Sequence, residues 1–293
     1  MSQSAIPAPL IVIGMHRSGT SMITDFLEQL GLFMGRDQNG NQESMFFLHT
    51  NRWLLRQSGG AWDHPEPVDS LMHDPDVRPL LGDFVRFTLQ SPRVALYLGW
   101  PRYLRYRSVF KLPVLWGWKD PRNTFTLPLW LDLFPEAKVL HIYRNGVDVA
   151  SSLHVRGEKG LASGRVLQHW NRPSRRPLYR VWPQLFPPFT TRHMSLATGF
   201  ALWETYTRRA DEHIAALPPE RTRVVQYEYF LQDPLPVLRD LCAFTGVQAT
   251  EAQLEAAGAK VNPSRGRAYE RDETLLTFYN QVKSSPQMLR YGY

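Results

Sequence analysis

Short apolar runs that alternate with helical periodicity are the first pattern in this chain. Leu10 to Ile13 is a β-branched run that enters the loop Gly-Met-His-Arg-Ser-Gly-Thr-Ser at positions 14–21. After it, Met22, Ile23, Phe26, Leu27 and Leu30 recur at the spacing of one helix face, and the pattern stops at Gly31. The order is strand, loop, helix. The same grammar returns later. VLWGWKDPR (114–122) predicts a strand ending in a polar loop, NTFTLPLWLDLF (123–134) a crossover helix, and KVLHIYR (138–144) a second buried strand that meets Asn145-Gly146 and a helix over GVDVASSL. TRVVQYE (222–228) predicts a further strand, with a helix from Leu202 to Leu217 before it and one from Pro234 to Phe244 after it. Strands alternating with helices predict a three-layer α/β fold around a central parallel sheet with right-handed crossovers.

Between the first helix and the second strand the period is helical throughout. Phe46, Phe47, Trp53, Leu54 and Leu55 predict a helix over Glu43 to Gln57, GGAWDHPEP a loop, and Asp76 to Phe110 short helices broken at Pro92 and Pro101, with apolar and basic positions alternating. Residues 36–111 therefore read as a mainly helical insertion, and 1–8 as a flexible tail. One segment differs in composition. From Lys159 to Trp203 there is no acidic residue, while Lys159, Arg165, Arg172, Arg175, Arg176, Arg180 and Arg192 are basic and prolines recur. Residues 156–192 read as a basic, Pro-rich loop, either ordered over a site or simply solvated. No internal repeat is evident, and one domain over 1–293 accounts for the pattern.

Composition narrows the classes. Of the 293 residues 43% are hydrophobic and 21% charged, which excludes a mostly disordered or coiled-coil chain. The single cysteine, Cys242, excludes an intrachain disulfide and a Cys-based zinc site, and fits a cytoplasmic protein. Lys and Arg number 34 against 27 acidic residues, a net +7 that points to an anionic ligand without naming it. No apolar run approaches the ~20 residues of a membrane span.

The chemistry starts at the first loop. Gly14 to Ser21 has the two-glycine spacing of a phosphate loop, G-x-x-x-x-G-K-[ST], with Thr20 where the lysine would stand. Backbone N–H groups at a helix N-terminus still cradle an anion, and Arg17 brings a cation to the same oxygens. Loss of the lysine argues against turnover of a nucleoside triphosphate. The loop resembles the 5′-phosphosulfate loop of sulfotransferases that use 3′-phosphoadenosine 5′-phosphosulfate (PAPS), in the version common in bacterial members. HIYRNGVDVASSL is similar to that family's 3′-phosphate site, a strand ending in an Arg with a Ser eight residues later, here Arg144 and Ser152. Tyr227-Glu228-Tyr229-Phe230 with Asp233-Pro234 is similar to a further family stretch, and Ser264-Arg265-Gly266-Arg267 resembles the late Arg-Gly segment that closes on the 3′-phosphate. The resemblance covers roughly 9–35 and 112–268.

That resemblance implies a P-loop-like fold and sulfuryl transfer from PAPS to a hydroxyl or amine, with no metal. It implies a binding set of Gly14, His16, Arg17, Ser18, Gly19, Thr20, Ser21, Arg144, Ser152, Arg265 and Gly266. Arg17 takes the place of the family's loop lysine, Lys119 resembles a second lysine at a strand end, and Glu43 is the candidate general base, with His16, His49 and Asp120 behind it. Glu43 also suits a plain helix N-terminus through the dipole. The acceptor is open among small molecules, glycans and lipids, and the basic segment favours anionic or polyhydroxylated ones. Trp53, Trp62, Trp100, Trp116 and Trp118 are either stacking platforms or core. Two other readings stand beside this one: a P-loop small-molecule kinase with a degenerate loop, which would need magnesium, and a non-catalytic nucleotide- or polyanion-binding protein. No nucleic-acid-binding module, H-E-x-x-H, G-x-S-x-G or acidic metal cluster is present in the sequence.

Overall fold

The computed structural model describes residues 6–162 and 192–293. In chain order the elements are β1 (Leu10–Ile13), α1 (Thr20–Gln29), α2 (Met45–Gln57), α3 (Val68–His73), α4 (Val77–Gln90), α5 (Ala95–Leu98), α6 (Trp100–Tyr106), β2 (Gly117–Lys119), α7 (Asn123–Leu133), β3 (Lys138–Tyr143) and α8 (Gly146–Ala162). They continue with α9 (Leu196–Ala216), β4 (Thr222–Gln226), α10 (Tyr227–Gln232), α11 (Pro234–Thr245), α12 (Glu251–Gly258), α13 (Glu273–Val282) and α14 (Pro286–Arg290). The described residues divide into two compact units: 6–144 with 206–266, and 145–162 with 192–205 and 267–293.

The first unit holds a four-stranded sheet in the order β2-β1-β3-β4. All pairs are parallel, with Leu10 opposite Gly117 and Lys138, and Val139 opposite Thr222. All four residues of β1 are buried, as a central strand covered on both faces requires. Leu10, Val12, Leu140 and Ile142 pack with α1, α11 and α12 through Ile23, Phe26 and Leu241. The expected α/β architecture is present. The insertion supplies α2 to α6 and an aromatic core in which Phe47 stacks on Trp118 at 4.2 Å and Trp130 meets Trp118 edge-on at 5.0 Å. Trp116 and Trp118 are therefore core.

Several boundaries differ from the sequence reading; α9, expected from Leu202, already starts at Leu196. β2 is only three residues long, and Trp116 before it makes a single parallel bridge to Phe33 while its carbonyl accepts from Leu10 N. Tyr227 and Glu228 leave the strand and open α10. Residues 156–162, assigned above to the basic loop, are the last turns of α8. Arg165, Arg172, Arg175, Arg176 and Arg180 lie outside the described residues.

The second unit is built from α8, the first half of α9, α13 and α14. Asp148 accepts the backbone N–H groups of Tyr269 (2.9 Å) and Ala268 (3.2 Å), while Phe200 meets Phe278 and Trp203 meets Tyr291 edge-on. Ser152 sits half-exposed on α8 in this unit.

Candidate active site

The loop after β1 is held in shape by backbone conformations that few side chains accept. Gly14 has φ +137°, and a Cβ there would lie 2.3 Å from the carbonyl oxygen of Ile142. Gly19, the N-cap of α1, has φ +89°, and a Cβ there would fall 2.1 Å from the Tyr227 ring. Arg17 is also left-handed at φ +71°, a conformation that costs an L-residue about 1–2 kcal/mol. Tight packing of the loop against β3 and Tyr227 holds these conformations in place.

This geometry turns the start of α1 outward. Met22 and Ile23 donate back to the Gly19 carbonyl, whereas the N–H groups of Thr20 and Ser21 have no partner within a helix that starts there. The Ser18 hydroxyl is buried and, among the described residues, has no hydrogen-bond partner. An orphaned buried hydroxyl beside free helix N–H donors fits an anion. Ser21 is used differently, its Oγ donating to the Asn41 carbonyl at 2.7 Å. His16 packs edge-on against Trp62 at 4.8 Å and lies 6.1 Å from Tyr206.

A second group lines the carboxyl end of β3. Arg144 lies over the Tyr227 ring at 4.9 Å, donates from Nη2 to the Arg265 carbonyl at 3.0 Å, and reaches the Arg17 carbonyl at 3.5 Å. The structure thus brings together Arg17, Arg144, Arg265 and, through its ring contact with Gly19, Tyr227. Gly266 follows in the same turn, where a Cβ would approach Leu231 at 3.3 Å. Ser152 is described with the second unit.

The third group is a buried charge cluster at the end of β2. Lys119 pairs with Val12 across the sheet and donates from Nζ to Glu43 Oε1 at 3.3 Å; the two side chains are 2% and 7% exposed. Glu43 Oε2 accepts from Asn39 at 3.0 Å. Burial pushes the Glu43 carboxyl upward, but Lys119, Asn39 and Arg122 outweigh it and hold it below the usual carboxylate range. Burial lowers the Lys119 ammonium, with Glu43 and Asp120 pulling part of the way back. Glu43 is therefore ionised at neutral pH, and Lys119 gives up its proton more readily than an exposed lysine.

Glu43 does not occupy a first helical turn as expected. It precedes the N-cap, Ser44, and α2 begins at Met45. The carboxylate is held by a lysine and an amide, not by the helix end.

Asp120 is engaged on both of its oxygens. Its Oδ1 accepts from the Arg122 backbone (3.1 Å) and Nη1 (2.8 Å), and its Oδ2 from Asn51 at 2.9 Å, with burial raising its pKa. Asn51, Arg122 and Asn123 were absent from the sequence reading. Asn51 donates to Asp120 and to Asn123 Oδ1 (2.7 Å) and accepts from Thr126 (2.8 Å) and the Trp130 indole (2.9 Å), so all its hydrogen-bonding capacity is used. Asn123 in turn donates to the Val12 carbonyl at 3.0 Å, and Thr124 Oγ1 accepts from Gly14 N at 3.2 Å. The turn after β2 thereby braces both the charge cluster and the glycine loop. His49 is exposed on α2, its pKa lowered by burial of part of the ring and by Arg52. Among the described residues, no three His, Cys, Asp or Glu side chains converge as a metal-ligand set, and no helix is long and apolar enough to cross a membrane. An apolar cavity of about 190 Å³ lined by Pro9, Trp116 and Phe134 lies at the amino ends of the strands, away from these groups.

Comparison with known proteins adds the family. The model of the sulfotransferase family matches residues 9–188 and 172–251. A sulfotransferase domain from the curacin biosynthetic pathway superposes with a TM-score of 0.50 at 14% identity, over 95% of this chain and 98% of its own. The sulfotransferase domain of the olefin synthase from Synechococcus PCC 7002 gives 0.50 at 16% identity, over 96% of each chain. At these identities the likeness is one of fold. No curated protein sequence matches.

Proposed function

The chain belongs to the sulfotransferase family, and from that premise we propose that it moves a sulfuryl group from PAPS to a hydroxyl or amine of its acceptor. The observation that carries this reading is the Glu43–Lys119 pair, 3.3 Å apart at the carboxyl end of β2, one strand from the glycine loop. Ligands of parallel α/β sheets bind at this end of the strands.

The residues suit the donor. The Thr20 and Ser21 N–H groups and the buried Ser18 hydroxyl offer donors to a 5′-phosphosulfate, and Arg17 offers a cation. Arg144 is the candidate for the 3′-phosphate, with Arg265 and Gly266. Its guanidinium is already fixed on Tyr227, so little rotamer freedom is left to lose on binding.

In the proposed reaction the acceptor atom forms a bond to sulfur while the bond from sulfur to the 5′-phosphate oxygen breaks. The acceptor's proton passes to the Glu43 carboxylate. Negative charge grows on the departing phosphate, where Arg17 and Lys119 oppose it; the products are a sulfate ester or sulfamate and adenosine 3′,5′-bisphosphate. Positioning and charge stabilisation carry the step, and the low exposure of the pair strengthens both.

The test is a screen of phenolic, glycan, lipid and amine acceptors with PAPS as donor, the product identified by mass, run in parallel with ATP and magnesium. Sulfated product with PAPS supports the reading. Phosphorylated product from ATP gives the case to a kinase. Tight binding of adenosine 3′,5′-bisphosphate without turnover on any acceptor makes the chain a nucleotide-binding relative.

A further inference from the structure

The helical insertion carries a surface that the proposed reaction does not use. From Phe84 to Lys119 the sequence has no carboxylate, while Arg86, Arg93, Arg102, Arg105, Arg107 and Lys111 are cationic. Among the described residues none of these six forms an ion pair. Several lie against aromatic rings instead: Arg102 on Phe33 at 4.4 Å, Arg105 on Tyr106 and Arg107 on Tyr103 at 5.3 Å each. Their charge is left for a partner.

The same stretch exposes large apolar side chains on two short helices. Leu96 on α5 and Trp100 and Leu104 on α6 are 59%, 65% and 59% exposed, while Tyr97, Leu98 and Tyr103 are buried. On α4, Leu80, Phe84 and Phe87 form a second exposed stripe at i, i+4 and i+7, on the side opposite the buried Leu81, Val85 and Leu89.

We propose that the 93–107 surface docks the protein on an anionic lipid bilayer. Leu96, Trp100 and Leu104 enter the boundary between headgroups and acyl chains, and Arg93 and Arg105 pair with lipid phosphates. Apolar tips set among unpaired cations match both layers of such a surface. A second copy of this chain matches neither, because a twofold contact would set the same cations against each other. A nucleic acid would use the cations but leave the leucines in water. The proposal is independent of the reaction catalysed.

The experiment is co-sedimentation of the whole protein with phosphatidylcholine vesicles, with and without phosphatidylglycerol, at low and high salt. Binding to the anionic vesicles is expected, weakening as salt rises. Arg93→Ser with Arg105→Ser should weaken it about 25-fold, since a cation near an anionic membrane contributes about fivefold. Trp100→Ser with Leu104→Ser should weaken it about tenfold or more, with the melting temperature and nucleotide affinity unchanged. Should that double variant unfold, Trp100→Phe keeps the packing: brominated acyl chains should quench wild-type fluorescence more than that of Trp100→Phe. No binding at low salt, binding indifferent to both double variants, or equal quenching in the two proteins would overturn the proposal. So would self-association lost in Trp100→Ser with Leu104→Ser without any vesicle binding, which would make this face a contact between copies.

Discussion

Replacing Glu43 by Gln keeps the side chain's size and removes the proton acceptor, and the structure sets three separate consequences. The first is on rate. A positioned general base contributes typically ~100- to 10,000-fold, so kcat should fall in that range while affinity for adenosine 3′,5′-bisphosphate hardly moves. The second is on stability. The substitution leaves the Lys119 ammonium, 2% exposed, without its carboxylate, and breaking one side of a buried pair costs about 3–5 kcal/mol. Asp120 nearby keeps the loss towards the lower end. The third is on pH. Burial depresses Lys119 and Glu43 is the strongest influence raising it, so the Gln variant should lose its Lys119 proton at lower pH still. If protonated Lys119 stabilises the departing phosphate, the alkaline limb of kcat lies below the ordinary lysine value of 10.5 in the parent and moves further down in the variant.

A double variant separates chemistry from structure. Glu43→Gln with Lys119→Met removes both charges, and a buried pair replaced by neutral side chains of similar volume costs little stability. Melting temperature should therefore recover relative to Glu43→Gln, and rate should not. The assay is steady-state kinetics across pH together with thermal unfolding and calorimetric binding of the bisphosphate. A Glu43→Gln variant that keeps more than a tenth of the parent rate refutes the base assignment, and an alkaline limb that stays in place refutes the role of Lys119.

Arg144→Ala should weaken binding of adenosine 3′,5′-bisphosphate about 10- to 100-fold, the size of one charge-assisted contact, and erase its preference over AMP; equal affinities already in the parent, by calorimetry, would remove the 3′-phosphate assignment. Asn51→Leu should destabilise the fold by about 3 kcal/mol, since it removes the partner of one buried Asp120 oxygen and leaves the Trp130 indole with Thr126 alone, and urea unfolding measures it. Burial lowers both His141 and His213 to about 4, so each contributes stability that is complete above about 6.5 and drains as pH falls towards 4, at most about 3 kcal/mol apiece. Urea midpoints measured from pH 7 to 4 should show that loss, and His141→Gln should flatten it. Activity should survive a chelator, and strict dependence on magnesium with ATP would favour the kinase reading.

The sheet was legible because its strands are central and short. Leu10–Ile13 and Lys138–Tyr143 are buried on both faces, so their apolar runs stand out and their ends fall at a glycine loop or an Asn-Gly step. The boundaries that differed depend on contacts that no local window contains. Trp116 pairs with Phe33 far earlier in the chain, and Tyr227 turns into a helix whose first ring lies against Gly19. The glycine loop was legible for the opposite reason: its shape resides in backbone, and glycine spacing is the sequence trace of backbone.

The charge cluster shows where that legibility ends and why. Glu43 and Lys119 each stood out alone, one as a carboxylate before an apolar helix and one as a lysine at a strand end, but what makes them a pair is the bracing around them. Asn51 sits between apolar positions of α2, where an amide has no reason to be unless it is saturated, and its four partners lie 69 to 79 positions away. The polar residue on a buried helix face was the available signal. Its partners follow from its chemistry: a fully buried amide must find two acceptors and two donors, and the turn carrying Asp120, Asn123 and Thr126, with Trp130 one helical turn beyond, offers that set. Because Asn123 also holds the Val12 carbonyl and Thr124 the Gly14 N–H, this one turn sets the distance between the cluster and the glycine loop. In the proposed reaction a sulfuryl donor on the loop and a base at Glu43 depend on the same brace, so Asn51→Leu should lower kcat as well as stability while Ser21, whose hydroxyl donates to the Asn41 carbonyl, should tolerate Ala with little change in either.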